Sequence, residues 1–249
     1  MQPKIQTFTA VVCLLAATGA PALAIESERA SVDASGREVQ GASLRSALSA
    51  DGRFVAFESD AATMVPGDTR TNTDIFVRDR RAGTVARASV SSTGAEAKGD
   101  SFAPSISANG RVVAFESAAW NLVEGDHNDS ADVFVHDRLT NATKRVSVNP
   151  GGGDANGTSF APEVSADGRF VAFASVATNL VAGDDNGVMD VFVADLATGQ
   201  VSRVSESLEG GEPHRGAGDP ATRRSRRTAA SSRTKRRSTA RHRARPGST

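Results

Sequence analysis

One eleven-residue phrase recurs three times at a fixed interval, and it limits the folds open to the chain more than any other feature. "SADGRFVAFES" begins at Ser49, "SANGRVVAFES" at Ser107 and "SADGRFVAFAS" at Ser165, 58 residues apart each time. The same interval relates "RASV" at Arg29 and Arg87 to "RVSV" at Arg145 and "RVSE" at Arg203. "DIFVRD" at Asp74 likewise returns as "DVFVHD" at Asp132 and "DVFVAD" at Asp190. A period of this length marks one supersecondary unit stacked on its own copies, because a single copy cannot bury its apolar face.

The unit reads as four short strands. In the middle copy, "APSIS" (Ala103 to Ser107) alternates and runs into an Asn-Gly turn, a pair that accepts positive φ at both central positions of a hairpin. "VVAFES" (Val112 to Ser117) follows with apolar residues on both faces, which predicts a strand covered on both sides. A loop, "DVFVHD", a second turn and "KRVSV" complete the unit. No stretch of the body carries helical periodicity, and Gly, Ser, Asn and Asp fill the connections. Four antiparallel strands per repeat, each sheet covered by its neighbours, describe the blade of a β-propeller. The expected fold is therefore all-β, with blades at about 43–90, 101–148 and 159–206. "RASV" at Arg29 reads as an N-terminal closing strand. Three blades leave an incomplete ring, since closed propellers have four or more. Uncovered outer sheets predict poor solubility and self-association through open blade edges.

The string "PSISANGRVVAFES", followed by "DVFVHD" and "RVSV", resembles the WD-repeat-like blades of the TolB family. The resemblance spans Arg29 to about Ala221. It departs from that family in lacking a separate N-terminal α/β domain and in carrying a long insertion in each copy, "AAWNLVEGDHNDSA" in the middle one. This long-loop form is similar to exported bacterial propellers. The resemblance implies a non-catalytic binding scaffold in the cell envelope, with an envelope protein or glycan as partner and no nucleic acid. The alternative it implies is the propeller portion of a larger enzyme, of serine peptidase or metal-dependent lyase type, whose catalytic part is lost.

The two ends differ from the body. Lys4 and "TAVVCLLAATGAPALA" form a charged start, a short apolar run and a small-x-small site, which reads as a signal peptide over residues 1–24 cleaved after Ala24. The expected product is periplasmic or secreted, with no membrane span after cleavage. Cys13, the sole cysteine of the 249-residue chain, lies in that segment. Cleavage would leave no thiol for a disulfide, a metal or a nucleophile. The formal net charge is zero, yet residues 25–214 carry 16 Lys and Arg against 28 Asp and Glu, and residues 215–249 carry 12 against one. The repeat register holds through Pro220 and then gives way to Arg, Ser and Thr. Residues 222–235 can be written in allowed codons whose neighbouring frame reads Pro-Ala-Ile-Ser-Ala-Asp-Gly-Arg-Phe-Val-Ala-Tyr-Glu, the opening of a fourth blade. The tail over 222–249 is therefore expected to be disordered or out of frame, and the protein a truncated fragment.

Chemistry-bearing residues are few. The loop before the third strand reads "GDHNDSAD" at Gly125 and "GDDNGVMD" at Gly183, placing Asp126, Asn128 and Asp132, and then Asp184, Asn186 and Asp190, in one tight turn each. Three oxygen donors so spaced suit a hard cation such as Ca²⁺, although Asp and Asn also cap such turns by bonding their own backbone. The first copy has Arg70 where the others have Asn, which repels a cation. Asp51, Asn109 and Asp167 read as turn formers, and Asp79, Asp137 and Asp195 as partners of a neighbouring turn. Glu58 and Glu116 become Ala174, so they read as dispensable for the fold. His127 and His136 occur in one copy only. Trp120, with Met64 and Val176, reads as packing between blades. No catalytic residue, no cofactor-binding residue and no phosphate loop is assigned, and Ca²⁺ is the one candidate cofactor.

Overall fold

The computed structural model describes residues 27–205. The proposed signal segment, Cys13 and the basic tail lie outside the described residues. Twelve strands form three four-stranded antiparallel sheets, each in chain order. Blade 1 holds β1 (Ser43–Leu48), β2 (Phe54–Ser59), β3 (Asp74–Asp79) and β4 (Thr84–Arg87). Blade 2 holds β5 (Ser101–Ile106), β6 (Val112–Ser117), β7 (Asp132–Asp137) and β8 (Ala142–Arg145). Blade 3 holds β9 (Ser159–Val164), β10 (Phe170–Ser175), β11 (Asp190–Asp195) and β12 (Val201–Arg203). The blades are stacked side by side with β1, β5 and β9 neighbouring one another, as the inner strands of a propeller are. No described helix is long and apolar enough to cross a membrane.

The Ser-x-Asp/Asn-Gly phrase builds its hairpin through the serine. Ser49 Oγ donates to Asp51 Oδ1 at 2.6 Å and accepts the Phe54 amide at 2.9 Å. The Asp51 carboxylate also accepts the Arg53 amide, and Gly52 N donates back to Ser49 O. Ser107 with Asn109 and Ser165 with Asp167 repeat the arrangement. Positive φ falls on Gly52, Gly110 and Gly168 but not on the residue before them. The turn is thus a four-residue turn with a left-handed Gly after it, not the two-residue mirror turn that Asp-Gly pairs favour. The serine bond makes the extra residue stable, and Asp51, Asn109 and Asp167 do act as turn formers.

The end of the blade unit also differs from the sequence reading. The fourth strand ends at Arg145, not Val148. Beyond it Val146 N bonds Val133 O, and Val148 pairs with Asp154 across a separate small loop. The same loop follows blade 1 (Val90 with Glu96) and precedes it (Val32 with Glu38).

The apolar faces meet as expected for strands without a polar side. The trailing face of blade 1 (Ala56, Ile75, Val77) packs on Ile106, Val113, Phe115 and Phe134 of blade 2. Blade 2 repeats this against blade 3 with Ala114, Val133 and Val135 on Val171, Phe173 and Phe192. Each blade carries one Phe pair on its leading face, with ring centroids 5.8–6.0 Å apart. The pair in blade 1, Phe57 and Phe76, is covered by the segment before β1, through Ala30 and Val39. Gly110 is needed at the blade 1–2 contact, because a Cβ there would lie 2.1 Å from the Phe54 ring.

Candidate functional site

Two chemically distinct places deserve building up: the Asp/Asn loops before the third strands, and the loop-bearing end of the stack.

In the blade 2 loop the cation among the carboxylates is an arginine. Arg145, the last residue of β8, lies beside β7 in register with Phe134. Its guanidinium meets Asp126 Oδ1 at 2.9 Å, Asp132 Oδ2 at 3.3 Å and Asp154 Oδ1 at 2.6 Å. It also donates to Gly125 O. Asn128 turns its amide nitrogen, not its oxygen, toward Asp132 Oδ2 at 2.9 Å, and its oxygen accepts Ser130 N. Ser147 Oγ donates to the other Asp132 oxygen. Blade 3 repeats the pattern: Arg203 lies 3.1 Å from Asp184 Oδ1 and 3.7 Å from Asp190 Oδ2, and Asn186 donates to Asp190. The structure therefore brings each predicted trio together and adds a guanidinium to it.

Blade 1 carries the same knot despite lacking the Asn. Arg87 contacts Asp68 at 3.2 Å, Asp74 at 3.3 Å and Glu96 at 2.8 Å. Among the described residues, Asp68, Asp74 and Glu96 are the group whose carboxylate oxygens are close enough together to share a metal ion. Arg70, whose charge made this copy unpromising, lies at the rim, 3.8 Å from Glu96.

One guanidinium facing three carboxylates leaves an excess of negative charge in a dry place. Burial pushes Asp68 up to about 6, against the pull of Arg87 and with the help of Asp74 and Glu96. Burial raises Asp74, Asp126 and Asp132 as well, the serine bonds and the arginines opposing it. Burial also works against the Glu96 anion. There, the Thr69 hydroxyl and amide together with Arg87 prevail and hold the pKa at about 2.

The hairpin end of each blade holds a second set of ion pairs. Arg53, Arg111 and Arg169 grip Asp79, Asp137 and Asp195 with two bonds each, so these aspartates pair with a neighbouring turn. Arg53 holds Asp79 at about 2 and Arg169 does the same for Asp195; Arg111 keeps Asp137 well below the carboxylate range. His136 is buried against Thr143, Nδ1 to Oγ1 at 2.9 Å, and burial lowers its pKa. The Thr143 hydroxyl donates to Val90 O, so the imidazole must donate in turn.

Glu58 and Glu116, read as dispensable, join blades. Glu58 Oε2 accepts the Ala103 amide at 2.9 Å and Glu116 Oε2 accepts Ala161 at 2.8 Å. Both alanines have left-handed φ, 51° and 52°, a strained conformation that these bonds hold. The signal was present in the 58-residue register, but loss of the Glu in the third copy pointed the other way.

In antiparallel order, the connections after β2 and after β4 leave the same end of each sheet, and the tight hairpins leave the other. The loop-bearing end is clamped by Asn121, which accepts Lys98 N at 2.8 Å and donates to Glu96 O. Asn179 repeats the clamp with Asn156 and Asp154. Trp120 stands beside that clamp, 57% exposed, with Lys98 Nζ 4.5 Å from its ring. It does not pack between blades. Met64 is buried with Leu122 and Leu180 at one register position, and Val176 is exposed at another; the three do not share a role.

No known protein family and no curated protein matches the chain. Solved structures similar to it include TolB proteins. The putative TolB from Agrobacterium tumefaciens is 18% identical with a TM-score of 0.42, over 64% of this chain and 49% of that one. TolB from Acinetobacter baumannii is 20% identical with a TM-score of 0.41, over 72% and 39%. An oligogalacturonate lyase from Vibrio parahaemolyticus is 13% identical with a TM-score of 0.38, over 64% and 38%. The chain thus spans about half or less of the length of these structures.

Proposed function

We propose that the protein is an exported, non-catalytic scaffold that presents the loop-bearing end of its blades to a protein or glycan of the cell envelope. The observation that carries this reading is Trp120. A large aromatic side chain stands in solvent on a clamped loop, stacked under a lysine, and such rigid aromatic anchors dominate binding surfaces. The buried charges support it, because the carboxylates and guanidiniums of all three blades are engaged with one another. The shifted-frame reading of residues 222–235 belongs to the same proposal: the parent protein carries further blades, and resequencing the locus beyond codon 219 tests it.

Trp120 is the only tryptophan in the chain, so its fluorescence reports on this one surface. Capture from envelope extracts by the wild-type chain should enrich a partner that shifts the Trp120 emission and that Trp120→Ala fails to retain. An identical set of bound proteins and glycans for wild type and variant would contradict the proposal.

A further inference from the structure

The two ends of the stack are copies of its internal contacts, each with one side missing. On the trailing face of blade 3, Val191 is 43% exposed, whereas its equivalents Ile75 and Val133 are fully buried by the next blade. Phe170, Met189 and Val204 are exposed around it. On the leading side of blade 1, Leu44 and Leu48 are exposed, Leu48 at 62%, while its equivalent Ile106 is 8% exposed against blade 1. A face that buries Ile75 under Ile106 inside the chain is, at its ends, a Val191 without a cover and a Leu48 without a floor.

A polar ladder is cut at the same two places. Ala50 N donates to Ala108 O at 3.0 Å, and Ala108 N donates to Ala166 O at 2.9 Å. Among the described residues Ala166 N has no such partner, and Ala50 O accepts no such bond. These are the next donor and the previous acceptor of one series.

The third observation is specific to the ends. Both internal contacts place a large residue on the trailing face, Glu58 or Glu116, over a small one, Ala103 or Ala161. At the end of the chain the same register places Ala174 on the trailing face and Arg45 on the leading strand. Large over small becomes small over large, so the volumes match only if these two ends meet each other.

From these we infer that two copies of this chain close one ring, blade 3 of each packing on blade 1 of the other. The chain's own downstream sequence does not offer a fourth blade: residues 222–249 contain no Val, Ile, Leu, Met, Phe or Trp. The segment before β1 already occupies blade 1 with the small loop that joins successive blades, so the second copy brings its own connection. The contact is head to tail, which closes only at a fixed number of copies. Rings of four to eight blades are the ones that close. One copy supplies three and three copies supply nine, so two is the number that fits.

The test is the solution mass of the chain, measured by light scattering on a sizing column, with two kinds of variant. The wild-type mass should be twice that of one chain. Leu48→Asp and Val191→Asp change residues that are exposed in a single copy, so each should keep wild-type circular dichroism while halving the mass. In a Cys13→Ser background, Ala50→Cys with Ala166→Cys should oxidise to a covalent dimer and stop there. A wild-type monomer, a mass unchanged by both aspartates, or a cross-linked series running past two copies would each overturn the inference.

Discussion

Val133 and Val191 occupy the same register position in successive copies, at the start of the third strand of their blades, yet one is fully buried and the other 43% exposed. Their strands pair alike, Glu116 with Val133 and Ala174 with Val191. What separates them is only the presence of a following blade. Strand formation is therefore local to each 58-residue copy, whereas burial depends on the neighbour, as in stacked repeats generally. The apolar text of blade 3 was written for a partner.

The sharpest way to probe that difference is to put the same charge at both sites. Val133→Asp buries an unpaired carboxylate between blades and should lower unfolding stability by more than about 4 kcal/mol. Val191→Asp should change the unfolding of a single copy by less than about 0.5 kcal/mol. Denaturant melts at low protein concentration distinguish the two; equal losses would mean that blade 3 is already covered.

A second contrast lies in the arginine knots. Arg145→Ala strands Asp126 and Asp132 without their cation and should cost about 3–5 kcal/mol. Millimolar Ca²⁺ should leave the melting temperature of the wild type unchanged and raise that of the variant, since the ion then finds the oxygens the guanidinium held. A Ca²⁺-dependent wild type would mean that metal and arginine share the loop.

The Glu clamps offer a smaller effect. Glu116→Ala removes the acceptor of the Ala161 amide and should cost about 1–3 kcal/mol. Ala174→Glu, which restores the repeat text at the open end, should add nothing to a single copy and should weaken pairing with Arg45 in place, as read from the mass on dilution.

The smallest effect is a pH dependence. Asp68, raised to about 6, holds its proton more tightly folded than unfolded. Its contribution is complete below about pH 4, the ordinary carboxylate range, and is lost as the pH rises to about 6. Thermal melts should therefore show Asp68→Asn gaining on the wild type between pH 4 and pH 6.5, with a constant difference above that.

Much of this was legible before any coordinates. The 58-residue interval gave the strand count, the sheet order and the all-β class, because periodic apolar text and turn residues are local signals. The serine-centred hairpin turn was not, since Ser49 acts across five residues on the Phe54 amide and no dipeptide preference records that. The arginine in each Asp loop was missed for a related reason. Arg145 reaches Asp126 and Asp132 from the adjacent strand, a relation set by sheet register rather than by spacing, although the Arg of each "RVSV" phrase was part of the repeat. Trp120 was assigned to packing because it was aligned with Met64; counting 58 residues sets Met64 beside Leu122, and the tryptophan beside Ala62.

The most direct measurement is amide hydrogen exchange at three equivalent positions, Ala50, Ala108 and Ala166, followed by nuclear magnetic resonance on the intact chain. Ala50 and Ala108 donate to the next copy of the repeat within the chain. If a second chain completes the series, Ala166 is protected to a similar degree and loses that protection in Leu48→Asp. If Ala166 exchanges freely at concentrations where Ala50 and Ala108 are protected, the end faces stand open and the ring does not close.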